Sequence, residues 1–271
     1  MKKERVDKLV VQAGITHSRE QARRLVMSGK IYDQNDQRYD KPGEKIPIDR
    51  ELYLKGKPFP YVSRGGLKLE KALSSFNIDI TDHLLLDIGA STGGFTDAAL
   101  QNGARLSYAL DVGYNQLAYS LRQDPRVVVM ERQNFRYARF EDFTKGQPTI
   151  ATIDVSFISL ALILPPLQPI LKKDGSVIAL IKPQFEAGPS RIGKKGVIKD
   201  PAVHQEVLEE VLAFISKIGF VIKELTYSPI TGGEGNIEYL VHLINARQVD
   251  NQSHSTIAIA KIVEESHQAF E

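Results

Sequence analysis

The run LLLDIGASTGGFTD, Leu84 to Asp97, constrains the fold more than any other stretch: an apolar strand with an acid near its end, a turn crowded with glycine, then the start of a helix. Further strands read at Leu106–Leu110, Val127–Met130, Ile150–Val155 and Val177–Ile181, with helical intervals between most of them. Apolar strands alternating with helices imply a parallel sheet covered on both faces. After Pro201, apolar positions Val207, Leu208, Val211, Leu212, Ile215 and Ile218 mark an amphipathic helix. Two strands near Phe220–Thr226 and Glu238–Leu243 then suggest an antiparallel hairpin at the sheet edge. A short helix from Thr256 to Ala269 has no assignable role.

In a doubly wound sheet, a Gly-rich turn at the carboxyl end of a strand opens the ligand crevice, and Gly89, Gly93 and Gly94 are expected to leave space for backbone approach there. The dinucleotide pattern G-x-G-x-x-G is not met, because Ala90 and Ser91 follow Gly89, and this argues against a dehydrogenase.

The first 58 residues form a separate pattern. Val6, Leu9, Val10 and Ala13 recur at helical spacing with Gly14 as C-cap. A second helix begins after the N-cap Ser18, with Ala22, Leu25 and Val26 inward and Arg19, Arg23 and Arg24 outward. Lys30 opens a strand-and-turn region in which Asp33, Asn35 and Asp36 read as turn residues, since a calcium loop would need a Gly and a distal Glu that are missing. Up to Pro58, fourteen Lys and Arg face nine acids, a net of +5, which leaves about −3 for the rest of a chain whose total is +2. The basic end is a candidate anion-binding module. Residues Lys55 to Pro60 read as an interdomain connection.

The run from Arg5 through SREQARRLVMSGKIY resembles the S4 RNA-binding domain. That likeness implies a small α+β unit over residues 1–58 presenting Arg5, Arg19, Arg23, Arg24 and Lys30 to structured RNA. Residues 59–247 resemble the seven-stranded, Rossmann-like class I methyltransferase fold with its last strand antiparallel; residues 248–271 are left as a tail. By this resemblance the Gly-rich turn is an S-adenosylmethionine loop, with Asp87, Gly89, Ser91, Gly93, Gly94 and Phe95 around the cofactor. Asp87 would face the methionine amine, Asp111 the ribose and Asn134 the adenine edge.

Lys68 lies on the first helix of this region in SRGGLKL, Asp154 ends the fourth strand in TIDVSFISL, Lys182 ends the fifth in ALIKPQFEAG, and Glu238 opens the last in GGEGNIEYLVHL. Position by position they match the Lys-Asp-Lys-Glu tetrad of ribose 2′-O-methyltransferases. With the S4-like front end, the chain resembles the TlyA (haemolysin A) family of ribosomal RNA methyltransferases, whose catalytic part is FtsJ-like. Amino-group methyltransferases commonly carry Asn or Asp followed by Pro-Pro and an aromatic at the fourth strand; here Val155, Ser156 and Phe157 follow Asp154, so a base nitrogen is the weaker acceptor.

A ribose hydroxyl is a poor nucleophile, and Lys182 is the expected base or proton relay. A free lysine titrates near ~10.4, so action near pH 8 asks for a depression of roughly two units, about 3 kcal/mol. Arg64, Arg191, Lys194 and Lys195 are further candidates for RNA phosphates.

With no cysteine, disulfides and thiol nucleophiles are excluded, and the six histidines show no metal-ligand spacing, so no metal is expected. The chain has no spanning segment and no apolar leader, and a cytoplasmic, non-membrane protein is expected. A catalytically inert RNA-binding assembly factor and a membrane-active haemolysin are the competing functions; intact tetrad residues weigh against the first and the absence of a lytic helix against the second.

Overall fold

The computed structural model describes residues 2–16, 18–56, 60–188, 191–193, 196–232, 235–247 and 257–270. The chain divides into two compact units, Met1–Pro60 and Tyr61–Glu271.

The smaller unit runs β1 (Lys3–Arg5), α1 (Val6–Gln12), α2 (Arg19–Met27), β2 (Ile31–Asp33), β3 (Arg38–Tyr39), β4 (Lys45–Pro47) and β5 (Leu52–Leu54). Strands β3, β2 and β5 form an antiparallel sheet, and β1 pairs with β4. Val6, Leu9 and Val10 of α1 pack with Ala22, Leu25 and Val26 of α2, as their helical spacing requires. Ala13 departs from the expectation: it is the exposed C-cap of α1, after which Gly14 takes the left-handed φ of +70°. Ser18 caps α2 by accepting from Gln21 N. Asp33 Oδ1 accepts from the backbone N–H of Asn35 and Gln37, so this acid serves the turn.

The larger unit continues with α3 (Gly65–Ser75), β6 (Leu84–Ile88), α4 (Gly94–Gln101), β7 (Leu106–Asp111), α5 (Tyr119–Arg122), β8 (Val127–Glu131), β9 (Ile150–Ile153), α6 (Leu164–Ile170), β10 (Ser176–Ile181), α7 (Pro183–Glu186), α8 (Pro201–Lys217), β11 (Val221–Tyr227), β12 (Tyr239–Ile244) and α9 (Ile259–Phe270). Its described residues build a seven-stranded sheet in the order β11-β12-β10-β9-β6-β7-β8. The strands from β6 to β10 are parallel, while β12 runs antiparallel to both β10 and β11. Side chains alternate between faces: Leu86, Ile88, Val177 and Ala179 pack toward α6 and α8, and Leu85, Ile178 and Leu180 toward α3 and α4. Helix α9 packs on α8 and β11. Tyr239 OH lies 3.0 Å from Ser266 Oγ of α9, and His204 of α8 lies 3.1 Å from His267. Among the described residues no helix is long and apolar enough to cross a membrane.

Candidate active site

Sheet topology gathers the four ionic residues. Asp154 follows β9 and Lys182 follows β10, at the carboxyl edge of parallel strands. Because β12 runs the opposite way, its first residue Tyr239 pairs with Ile181, the last of β10, so the preceding Glu238 reaches the same edge. Lys68 arrives on the first turn of α3, where a Cβ on Gly66 would lie 2.3 Å from the Tyr61 ring; glycine is what lets Tyr61 pack there.

The four form one chain of ion pairs. Lys68 Nζ is 2.7 Å from Glu238 Oε2 and 3.2 Å from Asp154 Oδ2, and Lys182 Nζ is 2.5 Å from Asp154 Oδ1. The side chains of Lys68, Lys182 and Glu238 are 8%, 8% and 3% exposed, so the charges compensate one another away from water. Burial pushes the Lys68 ammonium down, but the carboxylates of Asp154 and Glu238 outweigh it and hold its pKa above the ordinary lysine value. Burial likewise pushes Asp154 up, and the two lysines outweigh it and hold the carboxyl below its usual range. The two amines therefore differ in setting: Lys68 is clamped between two carboxylates, whereas Lys182 has one, together with Ser156 Oγ at 3.3 Å.

This quartet lines a cleft of about 870 Å³ with Asp87, Gly89, Ala90, Ser91, Gly94, Phe95 and Arg64. At its mouth stands Phe157, 90% exposed, with φ of +62° and its ring 5.0 Å from that of Phe185. Such exposure of an aromatic in a left-handed conformation is a signal that sequence reasoning passed over, as it did Ser156. Glu186 ties the loop after β9 to α7 by accepting from Ser159 Oγ at 2.6 Å and Leu160 N at 2.8 Å.

The glycines of the loop also serve the protein's own packing. A Cβ on Gly89 would lie 2.5 Å from Asp154 O, one on Gly93 2.3 Å from Leu121, and one on Gly94 2.3 Å from Ser63 Oγ. The space these glycines leave is filled by the protein itself; Gly89 and Gly94 still border the cleft, and Gly93 does not. Asp111 holds the loop by accepting from Ser91 N at 2.8 Å and Gly113 N at 2.7 Å, and each oxygen keeps acceptor capacity for a ligand. Asp87 is wholly buried, accepting from Thr96 N, Thr96 Oγ1 and Thr152 Oγ1. Burial pushes its pKa up to about 6 against those hydrogen bonds. Asn134 is exposed outside the cleft lining, its Oδ1 accepting from Arg136 N.

The basic candidates do not form one group. Arg5 and Arg19 both pair with the buried Asp7, at 2.9 and 3.1 Å, and Arg24 pairs with Glu20. Arg23 is exposed and has no ion-pair partner among the described residues; Lys30 is half-buried. Arg64 stands exposed at the cleft. The Arg191 guanidinium donates to both oxygens of Glu210, at 3.0 and 2.8 Å. Lys194 and Lys195 lie outside the described residues. Among the described residues no cluster of three or more His, Asp or Glu could hold a metal ion.

The strand order with antiparallel β12, the loop after β6 and an acid ending β7 define a class I methyltransferase. The chain belongs to the FtsJ-like methyltransferase family, whose model matches residues 61–245, and an S4 domain matches residues 4–49. It is 56% identical over 270 residues to the Bacillus subtilis protein named "Putative rRNA methyltransferase YqxC", covering 99% of this chain and 96% of that one. It is 37% identical to the 16S/23S rRNA (cytidine-2′-O)-methyltransferase TlyA of Mycobacterium tuberculosis, covering 94% and 97%. The solved structure of a "Putative hemolysin" from Streptococcus thermophilus, 55% identical, superposes with a TM-score of 0.79 over 100% of this chain and 98% of that one. The methyl donor of this family is S-adenosylmethionine, and a cleft of about 870 Å³ lies within the size range of small-molecule sites.

Proposed function

We propose that this protein transfers a methyl group to a ribose 2′-hydroxyl of structured ribosomal RNA, with the smaller unit docking the RNA and the larger one carrying the chemistry. The observation that carries this reading is the convergence of Lys68, Asp154, Lys182 and Glu238 within ion-pair distance in one cleft beside the Gly-rich loop. Two relatives with rRNA methyltransferase in their names, matched along nearly the whole chain, support the substrate class.

Bound S-adenosylmethionine would supply an electrophilic methyl group on a sulfonium. Asp111, at the end of β7 beside the loop, is suited to accept from ribose hydroxyls of that cofactor, and Gly89, Ala90, Ser91, Gly94 and Phe95 to line its methionine end. Lys68 stays an ammonium, because two carboxylates flank it, and it fixes Asp154. Asp154 in turn holds Lys182; once its ammonium has released a proton to solvent, the neutral Nζ is the amine suited to take the proton from a hydroxyl in the cleft. Proton removal of this kind contributes about 10² to 10⁴ in rate, whereas holding the reacting groups in line contributes about 7 to 11 kcal/mol. The ion-pair chain therefore acts first as a positioning device.

Incubation with radiolabelled cofactor and ribosomal subunits from a strain lacking the enzyme tests the reading. Label should appear at a nucleotide whose 3′ linkage has become resistant to alkali. Label on a base, or no label on RNA, would overturn it.

A further inference from the structure

The loops after β7 and β8 carry a surface that the reaction itself does not use. Residues 132–140, RQNFRYARF, hold three arginines between the acids Glu131 and Glu141–Asp142, of which Asp142 accepts from the Arg139 backbone N–H and not from its guanidinium. Arg132, Arg136 and Arg139 are exposed, and none has an ion-pair partner among the described residues, whereas nearby Arg122 and Arg126 are paired with Glu131 and Asp124. The Arg132 guanidinium lies 3.9 Å from the ring centroid of Tyr114, and that of Arg136 lies 5.7 Å from Tyr137. These rings are 64% and 72% exposed. The two loops are joined, since Arg132 N donates to Gly113 O and Gln133 N to Asp111 O.

One unpaired guanidinium packed on an exposed tyrosine, a second near another, and a third beside them present both charge and flat aromatic faces. S-adenosylmethionine is itself a net cation and has no phosphate, so three free arginines do not match it. A polyanion carrying bases does, through phosphate contacts and through stacking on aromatic and guanidinium planes. The surface lies on the same carboxyl edge of the sheet as the tetrad, because β7, β8, β9 and β10 point the same way. Between Lys182 after β10 and Arg132 after β8 lie four strand spacings, about 19 Å. A structured RNA covers such a span while a mononucleotide does not.

We propose that Arg132, Arg136 and Arg139, with Tyr114 and Tyr137, form a second RNA-contact surface on the methyltransferase unit, gripping the segment that flanks the methylated ribose. The inference rests on the RNA-methylating reading above. Arg132 also packs on Tyr114, at the junction of the two loops, so the variant that leaves that junction intact is Arg136→Ala/Arg139→Ala in the full-length protein. Its binding to ribosomal subunits from a strain lacking the enzyme is titrated against salt, and cofactor affinity is measured by equilibrium dialysis.

Loss of two phosphate contacts lowers the log–log salt slope by about 1.4 to 1.8. KM for subunits should rise about tenfold or more, and cofactor affinity should stay within about twofold. A Tyr137→Ala variant should weaken binding about five- to 150-fold if a base stacks there. An unchanged salt slope and KM would overturn the proposal while leaving wild-type methylation of the subunits intact. Loss of cofactor affinity alone would also overturn it, by assigning the surface to the cofactor. If the wild-type protein fails to methylate subunits at all, it is the RNA-methylating reading that falls.

Discussion

Replacing Glu238 by Gln isolates the charge balance of the cleft. Glu238 Oε2 sits 2.7 Å from Lys68 Nζ, with side-chain exposures of 3% and 8%. At an effective dielectric of about 20 that separation corresponds to an attraction of about 6 kcal/mol, an upper limit. The amide oxygen still accepts the ammonium N–H, and removing one partner of a buried pair costs about 3 to 5 kcal/mol, so we expect Glu238→Gln to destabilise the fold by about 2 to 4 kcal/mol. Urea unfolding should give a lower midpoint at unchanged slope. Adding Lys68→Met removes the uncompensated ammonium, and the double variant should recover at least about 2 kcal/mol relative to additivity. With Glu238 gone, Asp154 is the one carboxylate of the quartet for two amines, and methyl transfer should fall about 10- to 1000-fold through lost positioning. Stability within about 0.5 kcal/mol of wild type, with no coupling to Lys68, would refute the reasoning.

Three further outcomes follow from the same geometry. Asp87 has a pKa near 6 in the fold against about 3.9 for a free aspartate; it keeps its proton where the unfolded chain has lost it. Its contribution is thus fully present below about pH 4 and is lost as pH rises through about 6, a change of about 3 kcal/mol that Asp87→Asn should abolish in pH-resolved unfolding; parallel curves for the two proteins would contradict it. Phe157→Ala should leave stability within about 0.5 kcal/mol, because the ring is 90% exposed, while kcat/KM for subunits drops about five- to 150-fold through lost base stacking; an unaffected kcat/KM would remove Phe157 from the site. Gly89→Ala places a Cβ 2.5 Å from Asp154 O at a φ of +86°, and should cost about 2 kcal/mol or more together with activity; a tolerated alanine would show that the loop has another shape.

Much of the site was legible because chain direction decides which strand ends share an edge. Alternating strands and helices put Asp154 and Lys182 at the carboxyl edge, and an antiparallel last strand brings the residue preceding it, Glu238, to the same edge. Contacts between distant elements that strand direction does not fix were not legible. Local pattern could not reveal that Gly89, Gly93 and Gly94 make room for Asp154, Leu121 and Ser63, nor that Arg5 and Arg19 are engaged by Asp7. The strand Lys3–Arg5 was invisible for a different reason: three charged residues have no apolar alternation, and the pairing with Lys45–Pro47 defines them. The C-terminal helix had a readable period, but its docking depends on Ser266 and His267 meeting Tyr239 and His204.

The most direct test of the account is the single-turnover rate of methyl transfer to ribosomal subunits by Lys182→Ala, with cofactor affinity measured on the same preparation. The ion-pair geometry predicts a rate about 10² to 10⁴ lower with the cofactor still bound. Transfer at the wild-type rate would contradict the assignment of Lys182 as the proton acceptor and, with it, the role given to the quartet.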